Sequence, residues 1–543
     1  MAHTILDNDK PVDFRSPAYA PLFERLQGNI LKGHGRDFTF NIFLEFHRTG
    51  TSLREILAAL ARRHVTSARD QLLAIDSYKR TGVPGPVLGN LFLTRNAYEK
   101  LGYADALESW FPDRAHDAGL PQSSRFRTGM LAAARDLGDR LTQDIAAEPL
   151  EAAYLRGNID AMLLLADDSE ANLSREAEPL LRSLEQEGLA SVLAVEVGRL
   201  RRNADRTPIE HFGFVDGRSQ PLFLAADFID LAADGSIDVT RTTEKLPGGV
   251  RGRLENWNPF ASLSIALLKD PGVSDPLAYG SYFVFRKLEQ NVRAFFSAEE
   301  RLADELGLTG DDRARAGAML IGRFRDGTPL VRSGGPASEP AQSNDFRYDG
   351  LNALLVPDAS APRDRLGLRC PFQAHIRKMS PRQSIVALSD GDADITTNER
   401  EALARRLVRR GITYGDYPSG ASDPSHLPTE GVGILFACFQ SSIMQQFAFV
   451  QHRWANSIRF RVDGGAVTPT GVDPVMGQRL SPDTPPHNWR YEYGGSVAGA
   501  EPHHLDDIQL AESHPVKAEM RNFVKFRGGE FFFAPSLPFL LGS

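Results

Sequence analysis

Residues 38–60 read FTFNIFLEFHRTGTSLREILAAL. Phe38, Phe40, Ile42, Leu44 and Phe46 occupy every second position, the period at which side chains leave a strand on alternate faces. The pattern predicts a strand with one apolar and one polar face. Directly after it, Leu53, Ile56, Leu57 and Leu60 keep the spacing that lines one stripe of a helix. Working outward, the same alternation of elements recurs. Strands are expected around Leu91–Leu93, Met162–Ala166 and Val192–Val197, with helical regions through Leu107 and through Leu180–Leu184. In the second half, Tyr282–Phe285 reads as a strand and Leu288–Phe296 as a helix. Gly433–Phe439 reads as a strand feeding a helix with Ile443, Phe447, Val450 and Trp454, and Glu530–Phe533 as a closing strand. Strands with polar faces favour an α+β sandwich with an antiparallel sheet over a doubly wound sheet, whose strands are apolar on both sides. Two similar α+β halves is the economical reading.

The chain has 543 residues, which at ~150 per domain excludes a single small binding module. Its hydrophobic share, 42%, and charged share, 24%, are those of a globular protein with a large core. Lys plus Arg is 62 against 70 for Asp plus Glu, a net charge of −8 that gives no pull toward nucleic acid or an anionic membrane. Cys370 and Cys438 form no metal or haem-attachment motif and read as two buried thiols. No export signal is visible at the N-terminus and the longest uncharged stretch, Gly431–Gln451, is interrupted by glutamines and serines, so a cytoplasmic location without membrane spans is expected. Gly334–Ser343 and Ser481–His504 read as surface loops, and His487, His503, His504 and His514 as solvated side chains.

Three stretches carry residues that chemistry can use. His375 lies in CPFQAHIRKMSPR, between an apolar run and a cationic cluster, and reads either as a metal ligand or as a structural histidine, since no second His or Cys completes a zinc spacing. Asp216 lies in HFGFVDGRSQP between Gly213 and Gly217. It reads either as a turn aspartate bonded to its own backbone or as a carboxylate aimed into an apolar cavity for proton shuttling. Arg409 and Arg410 close a basic, helix-like run, ALARRLVRRG, for which a solvated helix face is the plain account.

In combination and in this order, GFVDG, AHIRKMSPR and RRGITYG resemble the dye-decolourising peroxidases, a family of haem enzymes. The resemblance extends to LQGNILKGHGRDF near the start, GSYFVFRKLEQNV from Gly280, LIGRFRDGTPLV from Leu320, the long run GILFACFQSSIMQQFAFVQHRWAN from Gly433, GVDPVMGQ from Gly471 and FFFAPSLPFL before the C-terminus. It spans roughly Leu26–Leu540.

The resemblance implies an α+β fold of two ferredoxin-like units whose antiparallel sheets form a barrel-like core, the dimeric α+β barrel type. The expected division is a tail over 1–20, an N-terminal unit over 21–235 with the GxxDG motif, and a C-terminal unit over 236–543 with the haem ligand. It also implies one haem b per chain. His375 would be its proximal ligand, Asp216 the distal proton shuttle, and Arg409, two residues before the glycine of RRGITYG, the cation that stabilises peroxide, with Arg410 ranked second. Asp473 in GVDPVMGQ is the candidate partner of His375, or else a turn aspartate before Pro474. Ile434 and Phe436, alternate residues of one strand, are candidate walls of the distal pocket, or else ordinary core. Arg377 and Gln220 are candidates for haem contacts from their positions beside His375 and GFVDG.

The implied activity is reduction of hydrogen peroxide coupled to oxidation of bulky aromatic donors such as dyes and phenols. No nucleic acid or membrane partner is implied, and a homo-oligomer is left open. A carboxylate remains a competent base in acid where a histidine would be protonated, so an acidic optimum with phenolic or dye substrates is expected. A haem carrier with little turnover is the alternative, but storage has no need of an Asp–Arg pair. A hydrolase built on Ser219 lacks a GxSxG elbow.

Overall fold

The computed structural model describes residues 5–113, 124–134, 136–139, 150–233, 257–332, 335–336, 344, 346–348, 364, 367, 369–382, 402–417, 424–457, 471–478, 487–489, 516–518, 520 and 523–542. The first unit is built from β1 (Phe38–Phe46), α1 (Gly50–His64), β2 (Leu88–Leu93), β3 (Ala161–Asp167), α2 (Glu170–Gln186) and β4 (Ala190–Arg199). The second contains β5 (Tyr279–Gln290), α3 (Val292–Glu305), the short α4 (His375–Met379), β6 (Val408–Arg409), β7 (Ile412–Tyr414), β8 (Gly433–Gln440) and β9 (Val524–Ala534). A helical segment over Phe447–Phe449 and Val450–Ala455 joins β8 to β9.

All the main strands pair antiparallel in the order β7-β8-β5-β9-β2-β3-β1-β4, with β6 added on β8. Within each half the order is the same: second strand, third, first, fourth. This repeated order is the ferredoxin-like arrangement, and the fold is α+β as the sequence implied. The halves meet at two thin seams. Phe533 of β9 pairs with Leu93 of β2. At the other end the Thr413 hydroxyl of β7 donates to the Arg199 carbonyl of β4 and accepts from the Arg201 amide, which closes the sheet.

Two cores follow from the closure. Inside the barrel, Phe43, Phe92, Phe283, Phe285 and Phe532 pack together, with Phe92 stacked on Phe283 at 4.1 Å between ring centres. Outside, α1 and α2 lay Leu53, Leu57, Leu173 and Leu184 against Ile42, Leu44 and Phe46 of β1. The expected polar face of β1 therefore looks into the barrel rather than into water. Thr39 and Asn41 are buried there, and the Asn41 amide donates to Thr39 Oγ1 and to the Glu196 carbonyl, each at 3.1 Å, which offsets the cost of burying it. For the same reason every residue of β3 is buried.

The expected helix over Leu288–Phe296 starts later. Leu288–Gln290 stays in the ladder between β8 and β9, and Asn291 caps α3 by accepting from the Ala294 amide at 3.0 Å. The helical region through Leu107 is a short turn, Ala104–Ala106, running into Leu107–Trp110. Leu6, Val12 and Phe14, early in the chain, are buried, and Val12 bridges to Leu224. His487 opens a short strand, His487–Trp489, paired with Val516–Ala518. The rest of the Ser481–His504 loop, His514, most of Gly334–Ser343 and the expected boundary at residues 235/236 lie outside the described residues. Among the described residues no helix is long and apolar enough to cross a membrane.

Candidate active site

Strand alternation directs the outer face of β8 and β5 toward the helices of the second unit. Leu435 and Ala437 of β8 point into the barrel core, whereas Ile434 and Phe436 are half-buried and line a cavity of about 260 Å³. The cavity is mostly apolar, with Phe212, Phe214, Leu288 and Ile321 among its walls. His375, Asp216, Arg409 and Gln220 line the same cavity, although the sequence separates the first and third of the motifs by nearly two hundred positions.

His375 opens α4. Its Nδ1 lies 2.8 Å from Asp473 Oδ2, and Asp473 is fully buried. The other carboxylate oxygen, Oδ1, accepts the amides of Val475 at 2.8 Å and Met476 at 2.9 Å. Asp473 is thus both a turn aspartate and the partner of His375, so the two readings of the sequence coexist. Burial by itself pushes the His375 imidazole toward the neutral form. The Asp473 charge and hydrogen bond outweigh burial and raise its pKa above the ordinary value. Burial would likewise raise the Asp473 carboxyl, but the His375 interaction and the two amides hold it below its ordinary range. With Nδ1 engaged, Nε2 is the ring nitrogen left for the cavity.

Asp216 sits in a loop whose glycines take left-handed conformations, φ +89° at Gly213 and +76° at Gly217, which a side chain at either position would strain. Asp216 Oδ1 accepts the Gly217 amide at 2.6 Å and Arg409 Nη1 at 3.3 Å. Among the described residues its Oδ2 has no hydrogen-bond partner. The turn reading was therefore correct for one oxygen, and the other is available to the cavity. Arg409 also donates Nη2 to the Ser219 carbonyl at 2.9 Å, and its backbone amide donates to Gln220 Oε1 at 3.1 Å. Gln220 holds the strand that carries the arginine.

Two expectations are corrected. Arg409 does not close a helix: the helical turn ends before it, and Val408–Arg409 is a strand whose residues pair with Phe439 and Cys438 of β8. Tertiary pairing overrides the local helical propensity of the run. Arg377 does not reach the cavity. Two residues past His375, about 200° around the helix, it is fully buried on the far side, donating to Asp364 Oδ2 at 2.8 Å and stacking on Tyr348 and Phe372.

Most lining residues carry no signal in the sequence, among them Arg323, Arg218 and Glu210. Arg323, buried, donates to the Gly327 carbonyl and to Asn344 Oδ1, and burial lowers its pKa to about 10. Arg218, directly after GFVDG, is half-buried, and among the described residues its guanidinium makes no hydrogen bond. Glu210 accepts the amides of Phe212 at 2.8 Å and Phe214 at 3.0 Å and the Gln290 side chain at 2.5 Å. Burial pushes the Glu210 carboxyl up to about 7 against those hydrogen bonds, and the Asp216 charge adds to the rise. A lone Arg or Glu has no spacing signature, so only adjacency to GFVDG and to LIGRFRDG pointed toward them. Cys370 and Cys438 are free and buried as expected.

No protein-family model matches the chain. It is 38% identical over 530 residues to the multifunctional dye peroxidase DyP2 of Amycolatopsis sp., with 96% of each chain covered. It is 27% identical over 521 residues to Peroxidase 2 of Mycetinis scorodonius, covering 94% of this chain and 85% of that one. Among solved structures, the DyP-type peroxidase of Anabaena sp. superposes with a TM-score of 0.77 at 32% identity, over 98% of this chain and 97% of that one. DyP2 of Amycolatopsis sp. superposes with a TM-score of 0.76 at 34% identity, over 98% and 99%. Identity at this level along nearly the whole length, on a shared fold, makes the chain a peroxidase belonging to the dye-decolorizing peroxidase family.

Proposed function

We propose that this chain is a haem peroxidase that reduces hydrogen peroxide and oxidises bulky aromatic donors such as dyes and phenols. The observation that carries this reading is that one apolar cavity contains both an imidazole tied through Nδ1 to a buried carboxylate and an Asp–Arg pair. The residues fit a haem. His375 Nε2 is a suitable iron ligand, with Asp473 fixing the tautomer. The aromatic and aliphatic walls suit a porphyrin, and the cations of Arg218 and Arg323 suit its carboxylates. When bound, the haem supplies the iron centre at which peroxide is reduced and donors are oxidised.

The protein's own contributions follow from the bonds described. Asp473 keeps a proton on His375 Nδ1, so Nε2 retains its lone pair. Asp216 is held through Oδ1 by Gly217 and Arg409, which leaves Oδ2 to take a proton from peroxide and return it, a step worth typically ~10²- to 10⁴-fold. The Arg409 guanidinium, anchored on the Ser219 carbonyl, is a fixed cation that stabilises negative charge developing on the peroxide. Ile434 and Phe436 supply apolar wall in the same cavity.

Absorption spectroscopy of haem-loaded protein tests the reading. A Soret band that changes on addition of hydrogen peroxide is expected, with turnover of a dye. Asp216→Ala and Arg409→Gln should keep the Soret band and lose ~10²-fold or more in turnover. A protein that takes up no haem, or variants with unchanged turnover, would refute it.

A further inference from the structure

The arginine after Arg409 bonds a different part of the chain, the loop at Asn29 and Ile30. Arg410 donates Nε to the Asn29 carbonyl at 2.7 Å, Nη2 to the Ile30 carbonyl at 2.9 Å and Nη1 to the Arg409 carbonyl at 2.8 Å. Its own amide donates to Ala437 of β8 at 2.7 Å. All three side-chain bonds end on main-chain carbonyls, and it makes no ion pair among the described residues. A planar fork matched to carbonyls fixes geometry rather than neutralising charge.

The loop it grips belongs to the motif LQGNILKGHGRDF, which otherwise has no part in the site. That loop is itself held from the first unit. The buried Gln71 accepts the Asn29 amide through Oε1 at 2.6 Å and donates Nε2 to the carbonyls of Lys32 at 2.9 Å and Gly33 at 3.1 Å. The His34 amide donates to Asn29 Oδ1 at 3.2 Å, and Lys32 pairs with Asp227 at 2.6 Å. Asn29 stands at φ +65°, an uncommon conformation for a residue other than glycine, inside this set of bonds. The chain of contacts runs from Gln71 to the loop, to Arg410, and to the main chain of Arg409.

We propose that Arg410, anchored by the loop over residues 28–34, is a positioning residue for Arg409: it fixes the main chain from which the catalytic guanidinium projects into the cavity. A long arginine side chain has several rotatable bonds, and its precision depends on a rigid base. Displacement of a reacting group by ~1 Å can cost ~10²-fold in rate. The inference rests on the role given to Arg409 above.

Fluoride titration of the haem-loaded ferric enzyme, followed by absorbance, tests it, because a small bound anion depends on the same guanidinium without any turnover. Arg409→Gln is the reference and should weaken fluoride ~100-fold. Arg410→Gln should weaken it ~10-fold, and Gln71→Ala, remote from the cavity, should act in the same direction. Arg410→Lys, which keeps the charge but not the fork, should behave like Arg410→Gln and covers the case in which the glutamine variant fails to fold. The double variant Arg409→Gln/Arg410→Gln should match Arg409→Gln alone, since Arg410 acts only through its neighbour. Wild-type fluoride affinity in the folded Arg410 and Gln71 variants, even with lowered thermal stability, would overturn the inference and leave the proposed function standing. An Arg409→Gln enzyme with unchanged affinity would instead overturn the role of Arg409.

Discussion

Asp473→Asn is the perturbation for which the structure gives the most definite consequence. The carboxylate accepts three donors: His375 Nδ1 on Oδ2, and the Val475 and Met476 amides on Oδ1. Asparagine has one acceptor oxygen and one donor nitrogen. If its oxygen keeps the two amides, its NH2 faces Nδ1, and the imidazole must move its proton to Nε2 to accept there. If the amide group flips, its NH2 meets two backbone N–H groups in a fully buried position. Neither pose satisfies all partners. Loss of a hydrogen bond to a charged group costs ~1.5–3 kcal/mol. At ~1.4 kcal/mol per tenfold this is ~10- to 150-fold in haem affinity, in line with the ~10- to 100-fold typical of residues behind a metal ligand. The assay is haem transfer to an excess of a scavenging apoprotein, followed at the Soret band, together with the iron–imidazole stretching frequency of the ferrous protein. Faster haem loss and a lower frequency are expected. A folded variant with haem affinity within twofold of wild type and an unchanged frequency would refute the assignment of Asp473 as the group that sets the His375 tautomer.

Three further outcomes follow. Glu210 has its pKa raised by burial from an ordinary 4.5 to about 7, so its contribution to stability is complete below pH 4.5 and is lost as pH rises through 7. Glu210→Gln should flatten the fall in unfolding free energy between pH 5 and pH 8 by on the order of 1–2 kcal/mol, read from urea titrations; an unchanged slope would contradict the burial argument. Arg377→Met leaves Asp364 charged and buried without its partner, so stability should drop by ~3–5 kcal/mol while the Soret maximum of the folded fraction stays in place; a shifted maximum would return Arg377 to the haem. Gly433→Ala sets a methyl 2.0 Å from the Leu288 carbonyl and should cost about 2–3 kcal/mol in chemical denaturation, an effect absent if β5 and β8 can part there freely.

The sequence was most informative where one physical pattern acted alone. The alternation over Phe38–Phe46 located β1, and the glycines flanking Asp216 marked a loop able to aim a carboxylate. Reading failed where partners distant in the chain decided the outcome. The basic run before Gly411 has helical composition, but Val408–Arg409 gains a ladder with β8. The polar side of β1 looked solvated because nothing local announces that a sheet will close and that Asn41 will find Glu196 across it. Arg377 was drawn to the haem by adjacency in sequence, which on a helix turns a side chain away rather than alongside. Arg218, Arg323 and Glu210 had no spacing to mark them, and only folding brings them to the cavity. The His375–Asp473 bond links positions 98 apart, so its motif was visible while its contact was not.

The narrow seams of the barrel bear on how the protein can be divided. Each half completes its own ladder, and the joints themselves are narrow: Phe533 pairs with Leu93 at one, and the Thr413 hydroxyl bonds Arg199 and Arg201 at the other, with Lys287 of β5 paired to Glu196 of β4. What unites the halves is the ring-lined interior they share. Two polypeptides made by cutting between Ala233 and Trp257 should therefore reassemble through their aromatic faces rather than by edge pairing. Fragment complementation would restore the active enzyme only when the Asn29 and Ile30 carbonyls of one piece again receive Arg410 of the other.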